Sequence, residues 1–390
     1  MSQYPNIQKH ERILLRIPFL ISILVFSILL LPYSAICSEN TFKIQKFITA
    51  YNFNDDHIPF IASNFDIIDT DLKKVSQVQK IKEINPAFKA IFYDNALTHR
   101  EKGREDWYVR DAKTGSRLVN KDWGWYLMDI GNSAYRRSLA NFIKKCSDNN
   151  PQFDGVFLDD VWGAATLGQF YREGTKEQAV LPLSVTKYWR DNMKLLLIQI
   201  KMAIGRKLLI INTGAYNSDY LAISDGQMYE AFCHAKWQPF EEYYSEWQKK
   251  LEGMIATSNS GKLYLAQSGV MPGTPDSQII KTAKYCFAMF LLGANSNSYF
   301  YFSPTKRYQG VTYFPEWDVD LGAPVGNYRV KVGTPLFERE FFKGLVLINP
   351  SKESFQIDLG EKYKTLDGVI TDTLTIGSRE GEILIKHSED

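Results

Sequence analysis

The chain has 390 residues, of which 45% are apolar, and this is enough for one large domain with an appendage and a well-buried core. Its 46 basic and 44 acidic side chains give a formal charge of +2 with no long run of one sign, which argues against a nucleic-acid partner because such proteins concentrate basic charge. The 4 cysteines show no close pairing, which argues against a disulfide framework and a structural zinc site.

The first 37 residues have the pattern of an export signal. Lys9, Arg12 and Arg16 precede the apolar run IPFLISILVFSILLL, and the small-residue stretch YSAICS follows. This order predicts a signal peptide that is cleaved after Cys37. Two alternatives stay open, because the apolar run approaches the roughly 20 residues that span a bilayer and because Cys37 could carry a lipid. We therefore expect an exported protein, periplasmic or extracellular, that is either released or attached to a membrane through this segment.

After the leader, short runs rich in β-branched and aromatic residues alternate with amphipathic helical stretches. Eight such runs occur: KFITAYNF, FDIIDTD, AFKAIFYDN, FDGVFLDD, KLLIINTG, GQMYEAF, KLYLAQSG and SNSYFYFSP. Helical periodicity is clearest in SAYRRSLANFIKKCSD and SQIIKTAKYCFAMFLLGA. The alternation predicts an α/β fold, a (β/α)₈ TIM barrel over residues 38–332. A doubly wound open sheet is the alternative, but a nucleotide-binding version would need a glycine-rich first turn, which this sequence lacks.

Two segments depart from this alternation. The segment from Asn95 to Asp122 is longer than an ordinary βα loop and rich in charge, and it is predicted to build part of a cleft wall. After Gly333 the sequence holds only short strands separated by Gly and Asn-Pro turns: FFKGLVLINPS, SFQIDLG, GVITDTLTIG and EGEILIK. These predict a small C-terminal antiparallel β domain over residues 333–390.

Carboxylates at the predicted strand ends are the candidates for catalysis, because the active sites of parallel barrels lie at the C-terminal ends of the strands. Asp159 and Asp160 end the fourth and most apolar strand, and Glu230 ends the sixth. Glycoside hydrolysis uses two carboxyls, one to protonate the leaving oxygen and one to attack the anomeric carbon or activate water. We predict Asp159 and Glu230 as this catalytic pair. Asp160 and Asp94 are further catalytic or supporting candidates, although Asp160 equally suits a helix cap and Asp94, like Asp69, a turn.

Polar and aromatic residues near other strand ends are predicted to bind the substrate. Tyr51, Tyr93, Asn212 and Gln267 would supply hydrogen bonds. Tryptophan rings could stack on sugars, and the candidates are Trp162 and Trp237, with Trp123 and Trp125 as further candidates. Packing inside the core is the alternative role for each of these tryptophans.

Other chemistries find little support in the sequence. It contains no HExxH pair, no GxSxG elbow and no Walker loop. No cofactor and no metal are predicted. A divalent cation held by Asp159, Asp160 and Asp94 would make the protein a metal-dependent hydrolase, and this is one alternative. A carbohydrate-binding barrel without catalytic activity is the other.

Several motifs in fixed order carry a resemblance to a known family. FDGVFLDD, IINTG, MYEAF and FERxFxxGLVLINPS resemble the hypothetical glycosyl hydrolases of the group numbered 15, over nearly the whole chain after the leader. The chain is also similar, more distantly, to α-galactosaminidase-type barrels with an Asp after strand four and a Glu after strand six. The resemblance implies a TIM-barrel glycoside hydrolase and favours Asp159 over Asp160, because the family has a single strand-four Asp. We therefore expect hydrolysis of O-glycosidic bonds in a polysaccharide, without a nucleic-acid partner.

Overall fold

The computed structural model describes residues 42–99, 104–165, 168–235, 246–304 and 310–388. The predicted leader lies outside these ranges. Within them, no helix is both long enough and apolar enough to cross a membrane.

Eight parallel strands close into a barrel, and they follow one another around it in chain order. Their bounds are β1 Gln45–Thr49, β2 Ile67–Thr70, β3 Lys89–Asn95, β4 Gly155–Asp159, β5 Leu208–Asn212, β6 Gly226–Tyr229, β7 Leu263–Gly269 and β8 Ser298–Ser303. The pairing of β1 with β8, in which Gln45 lies opposite Tyr299, closes the ring. Each strand coincides with one of the eight predicted runs, so the predicted TIM barrel is confirmed and the open sheet is wrong.

Within the described residues, eight α-helices accompany the strands. They are α1 Ile58–Asn64, α2 Val75–Ile84, α3 Ser133–Asn149, α4 Leu183–Lys187, α5 Trp189–Ile204, α6 Ser218–Leu221, α7 Trp247–Asn259 and α8 Asp276–Gly293. Helix α3 begins where the Asn132 side chain accepts hydrogen bonds from the backbone N–H groups of Ala134 and Tyr135. Helix α5 is followed by Gly205, whose positive φ of 62° is a backbone conformation that favours glycine. Local capping chemistry therefore fixes where these helices begin and end.

A small antiparallel sheet, the accessory sheet, lies beside the carboxyl ends of β3 and β4. Its strands are Thr98–His99, Leu118–Asn120, Tyr126–Leu127 and Phe170–Arg172. Three of them belong to the long connection between β3 and α3, and the fourth belongs to the connection after β4. The predicted cleft-wall segment is therefore not an irregular loop but a sheet assembled from two insertions.

Six antiparallel strands form the C-terminal sheet and confirm the predicted β domain. Their bounds are Arg329–Val330, Phe337–Phe341, Gly344–Asn349, Phe355–Thr365, Ile370–Ile376 and Glu380–Lys386. The sheet packs against α8, mainly through its third and last strands. It also has a small core of its own, which includes Leu336, Leu347 and Leu384. The predicted boundary at residue 333 stays a prediction.

Candidate active site

A cleft of about 1000 Å³ opens at the carboxyl ends of the barrel strands. Its floor is formed by residues at the strand ends, and one wall is formed by the tip of the accessory sheet. The predicted residues that line it are Tyr51, Tyr93, Trp123, Trp125, Asp159, Asp160, Trp162, Asn212, Glu230 and Gln267. Residues that are far apart in sequence therefore converge on one cavity, as expected for a barrel active site.

Asp159 at the end of β4 is a carboxylate of the floor that accepts three hydrogen bonds. Its Oδ2 accepts a hydrogen bond from the Tyr93 hydroxyl at 3.0 Å. Its Oδ1 accepts from the Asn212 amide at 3.0 Å and from the backbone N–H of Asp160 at 2.8 Å. Burial raises the pKa of Asp159, and these three donors act in the opposite direction by stabilising the anion. The three donors also fix the orientation of the carboxylate.

Asp160 has an unusual backbone conformation next to Asp159. Its φ of 57° lies in the left-handed region, which is rare for a residue with a side chain but several-fold more frequent for Asp and Asn. The Asn95 amide donates to its Oδ2 at 2.7 Å. Burial and then the charge of Asp159 raise the pKa of Asp160 well above its ordinary value. The conformation turns both neighbouring carboxyls toward the cleft, where alternation along a regular strand would separate them.

Asp69 at the end of β2 is a further carboxyl of the floor and is fully buried. The Tyr51 hydroxyl donates to its Oδ2 at 2.7 Å. Burial raises the pKa of Asp69 well above its ordinary value, and the charges of Asp159 and Glu230 raise it further. The sequence left open whether Asp69 is a turn residue or a site residue, and the structure places it among the residues that line the cleft.

Glu230 directly follows β6, two strands from β4 along the barrel wall. The chain after it is attached to β7, since the backbone N–H of Phe232 donates to the Gln267 carbonyl at 2.8 Å. The buried Lys250 ammonium donates to the carbonyl of Ala231 at 3.0 Å. The charge of Glu230 raises the pKa values of both Asp69 and Asp160, so its carboxyl lies in the same electrostatic environment as the floor carboxyls.

One predicted site residue, Asp94, is not brought into this cleft. Asp94 points from β3 toward α3, where its charge raises the pKa values of Tyr135 and Cys146, after the larger effect of burial. Its neighbours Tyr93 and Asn95 face the cleft instead, because side chains alternate along a strand. Trp237 lies outside the described residues.

The cleft also contains residues that were not predicted from the sequence. Asn95 connects Asp160 with Asp159. Its amide donates to Asp160 and also, at 3.4 Å, to the Tyr93 hydroxyl, which in turn donates to Asp159. Thr49 donates to the Gln267 side chain at 2.7 Å. The usable signal for Asn95 was its spacing of two from Tyr93, which places both side chains on one face of β3. Within the described ranges, no group of three or more His, Cys, Asp or Glu side chains could hold a metal ion.

Comparisons with known proteins agree with this architecture. AmyB, a noncanonic maltogenic α-amylase from Thermotoga neapolitana, is 11% identical with a TM-score of 0.51, covering 90% of this chain and 100% of that one. The debranching enzyme of Nostoc punctiforme is 9% identical with a TM-score of 0.50, covering 88% and 100%. The glycoside hydrolase domain of PelA from Pseudomonas aeruginosa is 15% identical with a TM-score of 0.43, covering 72% and 97%. At these identities the likenesses to AmyB and the debranching enzyme show the fold alone.

No curated protein sequence matches the chain. The profile of hypothetical glycosyl hydrolase family 15 matches residues 82–345, which include β4, β6 and the accessory sheet. This match extends over more than half of the chain, and the protein therefore belongs to hypothetical glycosyl hydrolase family 15.

Proposed function

We propose that the protein hydrolyses O-glycosidic bonds of a polysaccharide with Asp159 as nucleophile or general base and Glu230 as general acid. The observation that carries this proposal is the three-donor environment of Asp159 on the floor of a cleft that Glu230 also lines. Family membership supports the class of reaction.

Asp159 suits the role that needs an ionised carboxylate. A nucleophile or base must lose its proton before the reaction, and hydrogen-bond donors favour the ionised form. Asp159 has three donors, whereas the neighbouring Asp160 accepts from the Asn95 amide and its pKa is raised further by the charge of Asp159. Of these two adjacent groups, Asp159 therefore ionises first.

Glu230 suits the second role because of its place on the barrel. Strand β5 separates β4 from β6, so the two carboxyls extend over the floor from different strands. Two carboxyls from different strands can act on one glycosidic bond, with a proton donor on one side and a nucleophile or water on the other.

A polymer is the proposed substrate, and an exported location supports it. The cleft volume of about 1000 Å³ lies at the upper end of the roughly 300–1,000 Å³ typical of small-molecule sites, so it exceeds what one sugar ring requires. From the leader pattern we propose that the protein is periplasmic or extracellular. Polysaccharides are accessible in both locations. Recovery of the full-length chain from the cytosol would contradict this location.

The test compares two site variants with a matched control. We expect Asp159→Asn and Glu230→Gln each to lower the release of reducing ends from a polysaccharide by about 10³-fold or more while affinity is kept, because each removes a group needed mainly in the transition state. Asp94→Asn is the control, since Asp94 also stands near the end of a barrel strand but faces α3, and it should stay within about twofold of the wild type.

Three results would contradict the proposal. Full activity in either site variant would exclude that residue from catalysis. Binding without hydrolysis by the wild type, across a panel of neutral, amino-sugar and uronic-acid polysaccharides, would favour a carbohydrate-binding barrel. Activity that is abolished by EDTA and restored by a divalent cation would favour a metal-dependent hydrolase.

A further inference from the structure

The tip of the accessory sheet presents two tryptophans to the cleft. Trp123 is 51% exposed, and its ring stacks on that of Trp125 with centroids 5.7 Å apart and an interplanar angle of 29°. Both rings line the cleft, although neither belongs to the barrel. A single exposed apolar side chain needs no explanation, but a stacked aromatic pair in the wall of a cleft resembles a surface made for a ligand.

The turn that carries the two rings is held in one conformation by its own hydrogen bonds. The Asn120 side-chain oxygen accepts from the backbone N–H groups of Asp122 at 2.9 Å and Trp123 at 3.1 Å. The backbone N–H of Asn120 donates to the Trp125 carbonyl at 2.7 Å, and Gly124 provides the left-handed residue that the turn needs, with a φ of 69°. The backbone that carries the ring pair is therefore preorganised, and no backbone entropy has to be lost there when a ligand binds.

A second insertion supports the same turn. The Asn120 amide donates to the Gln169 side chain at 3.2 Å, and the backbone N–H of Lys121 donates to the Gln169 carbonyl at 2.9 Å. The side chains of Lys121, Asp122 and Gln169 also line the cleft beside the rings. An aromatic face bordered by hydrogen-bonding groups matches the chemistry of a pyranose ring, whose C–H face contacts the negative face of an indole while its hydroxyls bond at the edge.

We propose that Trp123 and Trp125 form an aromatic subsite that binds hexopyranose units of a glycan chain away from the bond that is cleaved. The catalytic consequence of this subsite rests on the proposed function. A glycan held on the accessory sheet as well as on the barrel floor is cut internally, and long glycans react faster than short ones. The binding itself requires only the ring pair and its polar border.

The binding test uses Asp159→Asn as the parent, so that no probe is consumed. Affinity electrophoresis is run through gels containing dextran, hydroxyethyl cellulose, galactomannan or glycol chitosan. Because stacking contacts the C–H face that hexopyranoses share, at least one of these polymers should retard the parent. Adding Trp123→Ala should weaken that retardation about tenfold. Trp125→Phe, which keeps an aromatic ring beneath Trp123, should have a smaller effect.

Phe142→Ala is the matched control, because Phe142 on α3 is 48% exposed and lies outside the cleft lining. Retardation by none of the four polymers, or equal retardation of the parent and Trp123→Ala, would overturn the proposal. Hydrolysis is measured separately on the wild-type background. Polymer cleavage that is insensitive to Trp123→Ala would contradict the subsite but not the proposed function. Trp123-dependent binding without hydrolysis would contradict the proposed function but not the subsite.

Discussion

The cleft floor and the interface between α8 and the C-terminal sheet both hold charged groups that are partly or wholly buried, but they surround these groups differently. On the floor, the hydrogen bonds to Asp69, Asp159 and Asp160 come from tyrosine hydroxyls, asparagine amides and a backbone N–H. At the interface, carboxylates meet ammonium groups: Lys281 bonds Glu380 and Lys284 bonds Glu382, each at 2.7 Å. Carboxylates at the interface are thus neutralised by ammonium groups, whereas carboxyls on the cleft floor lie close to one another.

This difference has an energetic meaning. Carboxyls that are buried beside one another are destabilised in their charged form, in line with the raised pKa values of Asp69 and Asp160. Burial alone would raise the pKa of Glu380, but its bonds from Lys281 and from the backbone N–H of Gly377 outweigh burial and lower it. The floor therefore tolerates an electrostatic cost that the interface avoids, which is typical of a site selected for reactivity rather than stability.

The largest expected effect lies at the interface. Arg339 is buried and donates to the carbonyls of Gly326, Leu291 and Ala294 at 2.9, 3.0 and 2.9 Å, so it satisfies carbonyls at the end of α8. Arg339→Met leaves these acceptors without their charged donor. We expect the free energy of unfolding in urea to fall by about 3 kcal/mol, with little change in the activity of the folded protein.

Arg190→Met is the control for this variant. Arg190 makes an exposed ion pair with Asp219 at 2.7 Å, and such pairs contribute about 0–1 kcal/mol. A loss below about 1 kcal/mol for Arg339→Met would show that the interface does not depend on this residue and would weaken the contrast with the floor.

On the cleft floor, replacing a charged residue should raise the free energy of unfolding rather than lower it. The pKa of Asp69 is raised on folding, so the folded protein holds this proton at pH values where the unfolded chain has released it. Stability from this group is complete below the unfolded pKa of about 3.9 and falls by about 1.4 kcal/mol for each pH unit up to the folded pKa. Asp69→Asn removes this loss while keeping an acceptor for Tyr51. We expect it to raise the free energy of unfolding at pH 7 and to have much less effect near pH 4.

Glu380→Gln provides the comparison at the interface, where the shift has the other sign. The pKa of Glu380 is lowered on folding, so its contribution is present above the unfolded pKa and is lost as the pH falls through the folded value. The variant should therefore destabilise the protein by up to about 1 kcal/mol at pH 7 and have no effect in strong acid. If both variants changed stability in the same direction at pH 7, the contrast between floor and interface would fail.

Most of the architecture could be predicted from the sequence because the signals are local. Each barrel strand is a short β-rich run, and several helices begin and end at recognisable caps such as Asn132 and Gly205. The carboxyl-end rule then selected the strand ends that line the cleft. Within one strand end, however, the sequence did not show which face each residue occupies. Asp94 was favoured over Asn95 for its chemistry, yet the alternation of β3 directs Asn95 to the cleft.

Non-local pairing accounts for what the sequence could not predict. The accessory sheet exists because Phe170–Arg172 pairs with Leu118–Asn120, some fifty positions earlier in the chain, and neither segment signals the other. The electrostatic role of Asp69 depends likewise on Asp159 and Glu230, which reach it only when the barrel closes. The left-handed φ of Asp160 belongs to the same class, because nothing local to the FLDD motif requires it.

The smallest expected effect separates the two adjacent carboxyls of the floor. Asn tolerates the left-handed backbone as Asp does, and its side-chain oxygen can still accept from Asn95. Asp160→Asn should therefore change the free energy of unfolding by less than about 0.5 kcal/mol and lower kcat less than tenfold. Asp160→Ala should lower the free energy of unfolding by about 1 to 2 kcal/mol, because alanine neither accepts the hydrogen bond nor tolerates the left-handed backbone. Urea unfolding and kcat of both variants check this. If Asp160→Asn lost activity as completely as Asp159→Asn, the charge of Asp160 would be part of the chemistry, and assigning the ionised role to Asp159 alone would be wrong.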